Sequence, residues 1–239
     1  MLVTTQAIVL SKIKYRDSDL IVNCYTEQLG VVSLILRGIL KSKKGHSKTA
    51  YYQLLSQLQL VIDYKANKTL HTVKETKLSY LYKSLHSNVL KSAVVMFLAE
   101  VLSSILQEEE QNKPLFIYIE TTLQLFDTQP GYSNFHLLFL LNITRYLGFY
   151  PDVSQIHYHY FNLKDGRFEN AEHDKYSISG DILIQLKQFL GITFDALTTV
   201  KINKKQRQTF LSVILLYFEL HLGRFKTPKS LQIFNQVFS

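Results

Sequence analysis

The chain has 239 residues, of which 46% are apolar and 19% charged, a balance typical of a globular protein with a buried core. Its longest apolar stretches, 94–106 and 211–222, are interrupted by polar or charged residues, so neither predicts a membrane span. The first residues contain no basic region and no cleavage site, so we expect no signal peptide. A single cysteine, Cys24, excludes an internal disulfide framework and fits a reducing cytoplasm.

The positive charge is concentrated in the first third of the chain. Residues 1–80 contain 12 lysines and arginines against 5 carboxylates, a balance of +7, whereas the remaining 159 residues have 15 against 14. A cationic segment of this kind indicates a polyanionic partner. A basic surface that serves only solubility is the alternative.

In residues 1–80 the apolar side chains alternate with polar ones, as in strands with one buried face. The predicted strands are 7–14, 20–26, 31–37, 58–64 and 69–75. Gly30 supplies the positive φ of a hairpin turn between the second and third. Five short strands in about 75 residues favour a small closed β-barrel of the OB-fold type.

After residue 80 the apolar residues recur every three or four positions, as in helices. The predicted helices are 94–106, 114–129, 133–147, 181–190 and 203–222, with a short last helix after Pro228. Ser133 is the expected cap of the third helix and Gly148 its left-handed stop. Residues 149–180 are irregular and aromatic, with a hairpin turn at 164–166. The fold class is therefore α+β: an OB-fold nucleic-acid-binding domain over 1–80 and a helical domain over 81–239.

A lysine-rich segment without apolar residues, 41–48, joins the third and fourth predicted strands. Lysines on a flexible loop suit phosphate contacts, and aromatic rings beside cations suit the stacking of single-stranded bases. The predicted phosphate contacts are Lys12, Lys14, Arg16, Arg37, Lys41, Lys43, Lys44 and Lys48, and the predicted stacking residues are Tyr15, Tyr51 and Tyr52. Each tyrosine, taken alone, also fits packing inside a barrel.

No pattern for a P-loop, a dinucleotide-binding loop, a zincin or a serine hydrolase occurs, so we predict a protein that is not an enzyme and needs no cofactor. Cys24 lies among apolar residues and is predicted to be an inert buried thiol. His157, His159 and His173 are conceivable zinc ligands, but no cysteine accompanies them, and we predict no bound metal. The acidic run 108–110 is interpreted as a solvated helix end.

Several segments, taken in order, resemble one family. The opening contains Tyr15-Arg16-Asp17-Ser18-Asp19, then Tyr25-Thr26-Glu27, Gly30 and Arg37-Gly38. Later come Leu147-Gly148-Phe149-Tyr150-Pro151 and a terminal segment with Tyr217, His221-Leu222-Gly223 and Lys229-Ser230. Together they are similar to the RecO family of bacterial recombination mediators over nearly the whole chain.

The resemblance implies a cytoplasmic, nucleoid-associated protein of DNA repair that binds single- and double-stranded DNA and anneals complementary strands. It also implies partnership with RecR and with single-stranded-DNA-binding protein, which together let RecA load. The helical domain would capture the acidic, apolar C-terminal tail of the single-stranded-DNA-binding protein. The cations available for that tail are Arg145, Lys187, Lys204, Lys205 and Arg207. Many family members have four cysteines in the segment that corresponds to 149–180, whereas this chain has none.

Three other functions remain open at this point. An RNA-binding OB-fold protein would prefer structured RNA. A nuclease would need clustered carboxylates for a divalent metal. A scaffold whose basic face meets acidic proteins or lipid would be indifferent to DNA at moderate salt.

Overall fold

The computed structural model describes residues 1–41, 48–106, 111–130 and 133–237. They form two compact units. The first unit comprises Met1–Thr128 and Pro228–Val237, and the second comprises Gln129–Thr227. These units divide the chain differently from the two predicted segments, because helices that follow residue 80 pack with the strands that precede it.

Five strands close into a barrel in the first unit. They are β1 (Leu2–Tyr15), β2 (Asp19–Thr26), β3 (Gly30–Leu36), β4 (Gln57–Asp63) and β5 (Leu70–Tyr80). Their order is β1-β2-β3-β5-β4, and the β3–β5 pair is parallel while the other pairs are antiparallel. The predicted α+β class with an N-terminal OB-fold barrel is confirmed.

Alternation of apolar residues places one face of each strand in the barrel lumen. Val22, Cys24 and Leu34 are fully buried there. The predicted hairpin turn is also confirmed: Gly30 has a φ of 64°, and the Thr26 hydroxyl donates to its carbonyl at 2.8 Å. A side chain larger than glycine would be strained at that φ.

Two strands are longer than predicted. β1 begins at Leu2 rather than at residue 7, because its first half pairs with β4 while its second half pairs with β2. β5 continues to Tyr80 rather than ending at residue 75, because it pairs along its length with β4. A strand shared between two neighbours in this way must be long, and local alternation does not reveal that.

The described residues also form helices and a small sheet. The helices are α1 (Val89–Ile105), α2 (Lys113–Thr128), α3 (Phe135–Tyr146), α4 (Gly180–Phe189), α5 (Lys204–His221) and α6 (Leu231–Val237), with a 3₁₀ turn at Asp195–Thr199. The strands β6 (Tyr160–Asn162), β7 (Arg167–Glu169) and β8 (Ser177–Ile178) form a sheet in the order β7-β6-β8. None of the described helices is long and apolar enough to cross a membrane.

Helices α1, α2 and α6 belong to the first unit. The Tyr25 ring lies 5.8 Å from that of Phe116, and its hydroxyl donates to the carbonyl of Asn112 at 3.1 Å. The Gln57 amide donates to the carbonyl of Glu120 at 2.8 Å. Tyr25 of β2 and Gln57 of β4 are therefore buried against the segment that contains α2 rather than exposed to water.

Two carboxylates fasten chain segments within this unit. Asp127 accepts the backbone N–H groups of Lys83, Ser84 and Leu85, each at 2.8 Å. Glu100 accepts the N–H groups of Lys229 and Ser230 at 2.8 and 2.9 Å, and α6 begins directly after them. Burial acts to raise the pKa of both carboxyl groups, but the hydrogen bonds that they accept outweigh it, so both pKa values lie below the ordinary value.

In the second unit, the predicted cap of α3 is wrong. Asn134, not Ser133, occupies the N-cap position, and its side chain makes no capping hydrogen bond. The Asn134 amide instead donates to the carbonyl of Val200 at 2.9 Å. The predicted stop is confirmed, since α3 ends before Gly148, whose φ is 84°.

Burial of His136 on α3 predicts a pH-dependent stability of the second unit. This side chain is fully buried, which lowers its pKa to about 3. Since the unfolded chain binds a proton near about pH 6.5 and the folded one does not, stability is lost as the pH falls below that value, by at most about 1.4 kcal/mol per pH unit. Thermal melts of the wild type and of His136→Leu between about pH 7 and 5 should show a shallower dependence in the variant. The control replaces the exposed His159 of the same unit, and equal slopes for His136→Leu and wild type would contradict the prediction.

Candidate nucleic-acid interface

The tip of the β1–β2 hairpin is joined to the end of β3 by one carboxylate. Asp19 accepts the N–H of Gly38 at 2.7 Å and the hydroxyl of Ser18 at 3.1 Å. Leu40 donates its N–H to the carbonyl of Ser18 at 3.0 Å. The hydrogen bond from Gly38 is the main reason that the pKa of Asp19 lies below its ordinary value. The start of the segment between β3 and β4 is thereby fixed against the hairpin tip.

This contact brings two predicted phosphate ligands, Arg16 and Arg37, close to one carboxylate. Both are exposed, and both charges favour the ionised form of Asp19. The Arg16 guanidinium lies over the ring of Tyr15 at 5.1 Å from its centroid. Arg16 also has a φ of 53°, in the left-handed region that strains a side chain of its size.

Lys12 and Lys14 lie on the lumen-facing side of the same hairpin. They pair with Val22 and Leu20, whose side chains belong to the barrel core, and directly paired residues share a face. The β1–β4 pairing, however, ends at Ile8, before either lysine. Both lysines are therefore exposed beyond the last β1–β4 pair.

A cleft of about 570 Å³ opens where β3 and β5 part. Their parallel pairing ends at Ile35 and Thr72, and beyond it the segment after β3 diverges from β5. The residues that line the cleft include four cations and one carboxylate. These are Arg37, Lys48, Lys74, Lys77 and Glu75. All five are exposed, so the cleft presents a net positive, solvent-accessible surface of the kind that binds phosphate backbones.

The three predicted stacking tyrosines differ in exposure. Tyr15 is 37% exposed at the hairpin, and Tyr51 is half-buried at the cleft. The prediction for Tyr52 is wrong, because its ring is 2% exposed within the barrel core and its hydroxyl is hydrogen-bonded to that of Thr76. Burial raises the pKa of Tyr52 to about 12. Tyr52 therefore supports the wall of the cleft instead of offering a face to a base.

Among the lysines of the predicted basic loop, Lys41 and Lys48 are exposed. Lys43 and Lys44 lie outside the described residues. The sequence prediction missed Lys74 and Lys77, because it ended the fifth strand at residue 75 and counted these lysines only in the overall charge. The available signal was the presence of two lysines at the end of the predicted fifth strand.

Cys24 is fully buried, as predicted for an inert thiol, and burial raises its pKa to about 12. The donors in residues 149–180, a range that the structure describes throughout, do not fit a zinc site. The range contains no cysteine, and no three His, Asp or Glu side chains come together there as metal ligands. His157, His159 and His173 are exposed at separate positions.

A second cleft, of about 640 Å³, lies in the second unit between the start of α3 and the start of α5. Its apolar wall consists of Leu197, Val200 and Ile202, and its cations are Lys201 and Arg207. Among the described residues that line the cleft, none is a carboxylate. It therefore combines apolar surface with positive charge.

Arg207 is the predicted tail-binding cation that lines this cleft. Its guanidinium donates to the side-chain oxygen of Asn134 at 3.0 Å and to the carbonyl of Ile202 at 3.4 Å. No ion pair neutralises it among the described residues, and partial burial lowers its pKa. A half-buried cation with neutral partners leaves room for an anionic ligand.

The other predicted tail-binding cations are placed differently. The Arg145 guanidinium lies 3.9 Å from the centroid of the Tyr150 ring, and Lys187 donates to the carbonyl of Tyr158 at 2.8 Å. Lys204 and Lys205 are exposed on the first turn of α5, next to the cleft residue Asn203. Arg207 thus lines the cleft, whereas Arg145 and Lys187 make other contacts. Lys201 also lines the cleft, although the sequence analysis did not select it.

Comparison with known proteins decides the family. Residues 1–82 match the family model described as recombination protein O N terminal, and residues 86–231 match recombination protein O C terminal. The chain belongs to the RecO family. Proteins named DNA repair protein RecO are 45% identical in Christiangramia forsetii, 41% in Flavobacterium johnsoniae and 33% in Bacteroides fragilis, each with full coverage of both chains.

Membership confirms the resemblance and makes this a DNA repair protein of the RecO family. Several of the motif residues that resemble the RecO family also make hydrogen bonds that hold the fold together. Gly38 donates its N–H to Asp19 at the hairpin tip, and Lys229 and Ser230 donate theirs to the carboxylate of Glu100. The RecO pattern at the start of the chain thus builds the basic surface itself.

Backbone strain at Arg16 predicts a trade between stability and DNA binding. Arg16→Asn should have a free energy of unfolding equal to that of the wild type or higher by up to about 1 kcal/mol, because asparagine tolerates the left-handed region. Its affinity for DNA should fall, because a cation that is predicted to contact phosphate is lost. Arg16→Ala removes the same charge but keeps the strain. Thermal melts that find Arg16→Asn less stable than Arg16→Ala would contradict this account, and fluorescence anisotropy with a labelled oligonucleotide measures the affinity.

Proposed function

We propose that this RecO-family protein binds DNA strands on its basic barrel surface and anneals them without enzymatic catalysis. The observation that carries the proposal is the cleft between β3 and β5, with four cations around one carboxylate. The exposed Lys12, Lys14 and Arg16 extend the positive charge to the hairpin. Family membership supports DNA as the polyanion.

Annealing follows from the electrostatics of such a surface. Two DNA strands repel each other through their phosphates, and cations that neutralise both backbones lower that repulsion. Tyr51 and Tyr15 add partly exposed rings on which unpaired bases stack, at about 1–3 kcal/mol per base. The contacts are independent of sequence, as annealing of arbitrary complementary strands requires.

We propose further that the protein acts with RecR and with single-stranded-DNA-binding protein to let RecA load on the DNA. The apolar and cationic cleft of the second unit is the proposed site for the acidic, apolar tail of single-stranded-DNA-binding protein. Leu197, Val200 and Ile202 would pack against apolar tail residues. Arg207 and Lys201 would pair with its carboxylates.

The DNA-binding proposal predicts opposite effects for neighbouring residues of β5. Lys74→Ala and Lys77→Ala should weaken binding to all sequences alike and reduce the salt slope by about 0.9 per contact on duplex or 0.7 on single strands. Glu75→Gln, on the same strand, should strengthen binding. Changing Lys41, Lys43, Lys44 and Lys48 together to alanine should also weaken binding and flatten the salt dependence.

Titrations of labelled oligonucleotides at several salt concentrations measure these effects. Lys164→Ala, an exposed lysine of the second unit, is the control and should leave affinity unchanged. Wild-type affinity and salt slope in both the β5 and the loop variants would overturn the assignment of DNA binding to the first 80 residues. A preference for structured RNA over single-stranded DNA would favour an RNA-binding function instead.

The tail proposal predicts a peptide affinity in the micromolar range, about −8 kcal/mol. Arg207→Ala and, separately, Lys201→Ala should weaken binding of a fluorescent tail peptide, while binding to naked DNA stays intact. Arg145→Ala is the matched control, because the Arg145 guanidinium lies on a tyrosine ring outside the cleft. Annealing of coated strands should collapse when the coating protein lacks its tail. Equal annealing with tailed and tailless protein would overturn the proposal.

A further inference from the structure

Two side chains one helical turn apart on α5 reach the aromatic segment that follows α3. We call residues 149–180 the hairpin module. The Tyr217 hydroxyl donates to the carbonyl of Phe149, the first residue of the module, at 2.7 Å. His221 donates from Nε2 to the carbonyl of Leu163 at 2.9 Å, since a carbonyl oxygen only accepts. The Phe149 ring also stacks on the His221 imidazole, with centroids 4.9 Å apart and planes 2° apart.

The hairpin turn itself is fitted to the same tyrosine. Gly166 is buried, has a φ of 68°, and a Cβ there would lie 2.7 Å from the Tyr217 hydroxyl oxygen. Its carbonyl accepts the N–H of Asp152 at 2.8 Å, and its own N–H donates to the carbonyl of Asn162 at 2.9 Å. The first residues of the module are thus hydrogen-bonded to its turn, and both contact the side chain of Tyr217 on α5.

Inside the module, packing is aromatic. The rings of Phe161 and Phe168 lie across from each other on β6 and β7, 4.9 Å apart, and both are at most 3% exposed. Asn162 accepts the N–H groups of Lys164 and Asp165, which closes the turn. The module contains no cysteine, and no three of its His, Asp or Glu side chains lie together as zinc ligands among the described residues.

We infer that Tyr217 and His221 fasten the hairpin module to α5 and that the module keeps its fold without a metal ion. These two residues are positioning residues, since they act on backbone carbonyls and on an aromatic ring of the chain. The contacts join two of the segments by which the RecO family was recognised, the one around Phe149 and the one from Tyr217 to Gly223. The inference does not depend on the proposed DNA-binding or tail-binding roles.

Hydrogen–deuterium exchange of the full chain tests the fastening. Tyr217→Phe and His221→Leu should each speed exchange at the amides of Asp152, Leu163 and Gly166 by about five- to tenfold, as expected when one hydrogen bond is lost from a local opening unit. Exchange in the barrel should stay unchanged. The matched control is Tyr160→Phe, which removes the hydroxyl of a half-buried tyrosine in the same module and leaves the contacts of Tyr217 and His221 in place. Unchanged exchange in both variants would overturn the inference.

Replacing Gly166 tests the contact with Tyr217 by coupling. Gly166→Ala should speed exchange in the module, and the acceleration should be smaller when Tyr217→Phe is already present, because the overlapping oxygen is then gone. The cost of the positive φ is common to both backgrounds and cancels. Independent effects of the two substitutions would show that the contact is absent.

Metal content provides the remaining measurement. Elemental analysis of protein purified without chelator should find far less than one zinc per chain, and chelation should leave module exchange unchanged. About one zinc per chain, with faster module exchange on its removal, would overturn the inference even if the Tyr217 and His221 variants behave as expected.

Discussion

Closure of the barrel depends on a parallel pairing that is only three residues long. Ser33, Leu34 and Ile35 pair with Leu70, His71 and Thr72, and beyond them β3 and β5 separate. Five strands enclose a small lumen, so side chains fill it completely. Tyr52 joins that packing from the segment between β3 and β4, while Arg37 and Lys74 are left facing solvent on either side of the gap. The basic cleft is therefore a consequence of how the sheet closes.

The hydrogen bond between Asp19 and Gly38 connects this basic cleft to the tip of the β1–β2 hairpin. Arg16 and Arg37 are 21 positions apart in the chain, and like charges held near each other are unfavourable unless a carboxylate or a phosphate lies between them. Asp19 supplies part of that neutralisation and also fixes the backbone of Gly38. A phosphate backbone would supply the remainder, so the same geometry that the fold requires also favours an anionic ligand.

Local patterns were sufficient for much of this structure. Alternation located all five strands, and the glycine rules located Gly30 and Gly148, because each depends on a few adjacent residues. For Tyr52 the sequence left stacking and barrel packing both open, since this residue lies in a connecting segment with no periodicity that would decide between them. Lys77 lies beyond the predicted end of the fifth strand because the end of β5 is set by pairing with β4, which is distant in sequence. Lys74 lies inside the predicted strand, but local alternation did not show that it lines a cleft.

Contacts between residues that are distant in sequence also explain the other differences between the predicted and the observed structure. Asn134 is a good capping residue by type, but its side chain is used by Val200 and Arg207, about 70 positions away. The packing of α1, α2 and α6 with the barrel likewise rests on contacts between distant segments, such as those of Tyr25 with Phe116 and of Gln57 with Glu120. In the sequence, the cations appear only as an excess of positive charge over residues 1–80. The pairing of the strands determines which of them lie together in the cleft.

The position of α6 affects the order in which the protein is completed during synthesis. Phe234 on α6 is 2% exposed and stacks on Phe97 of α1, with ring centroids 4.6 Å apart. Glu100 likewise receives residues 229 and 230. The ribosome releases the barrel strands first, but these partners emerge only after the whole second unit has been made. The first unit to begin folding is therefore the last to finish, and until then the Phe97 ring of α1 is not covered by Phe234.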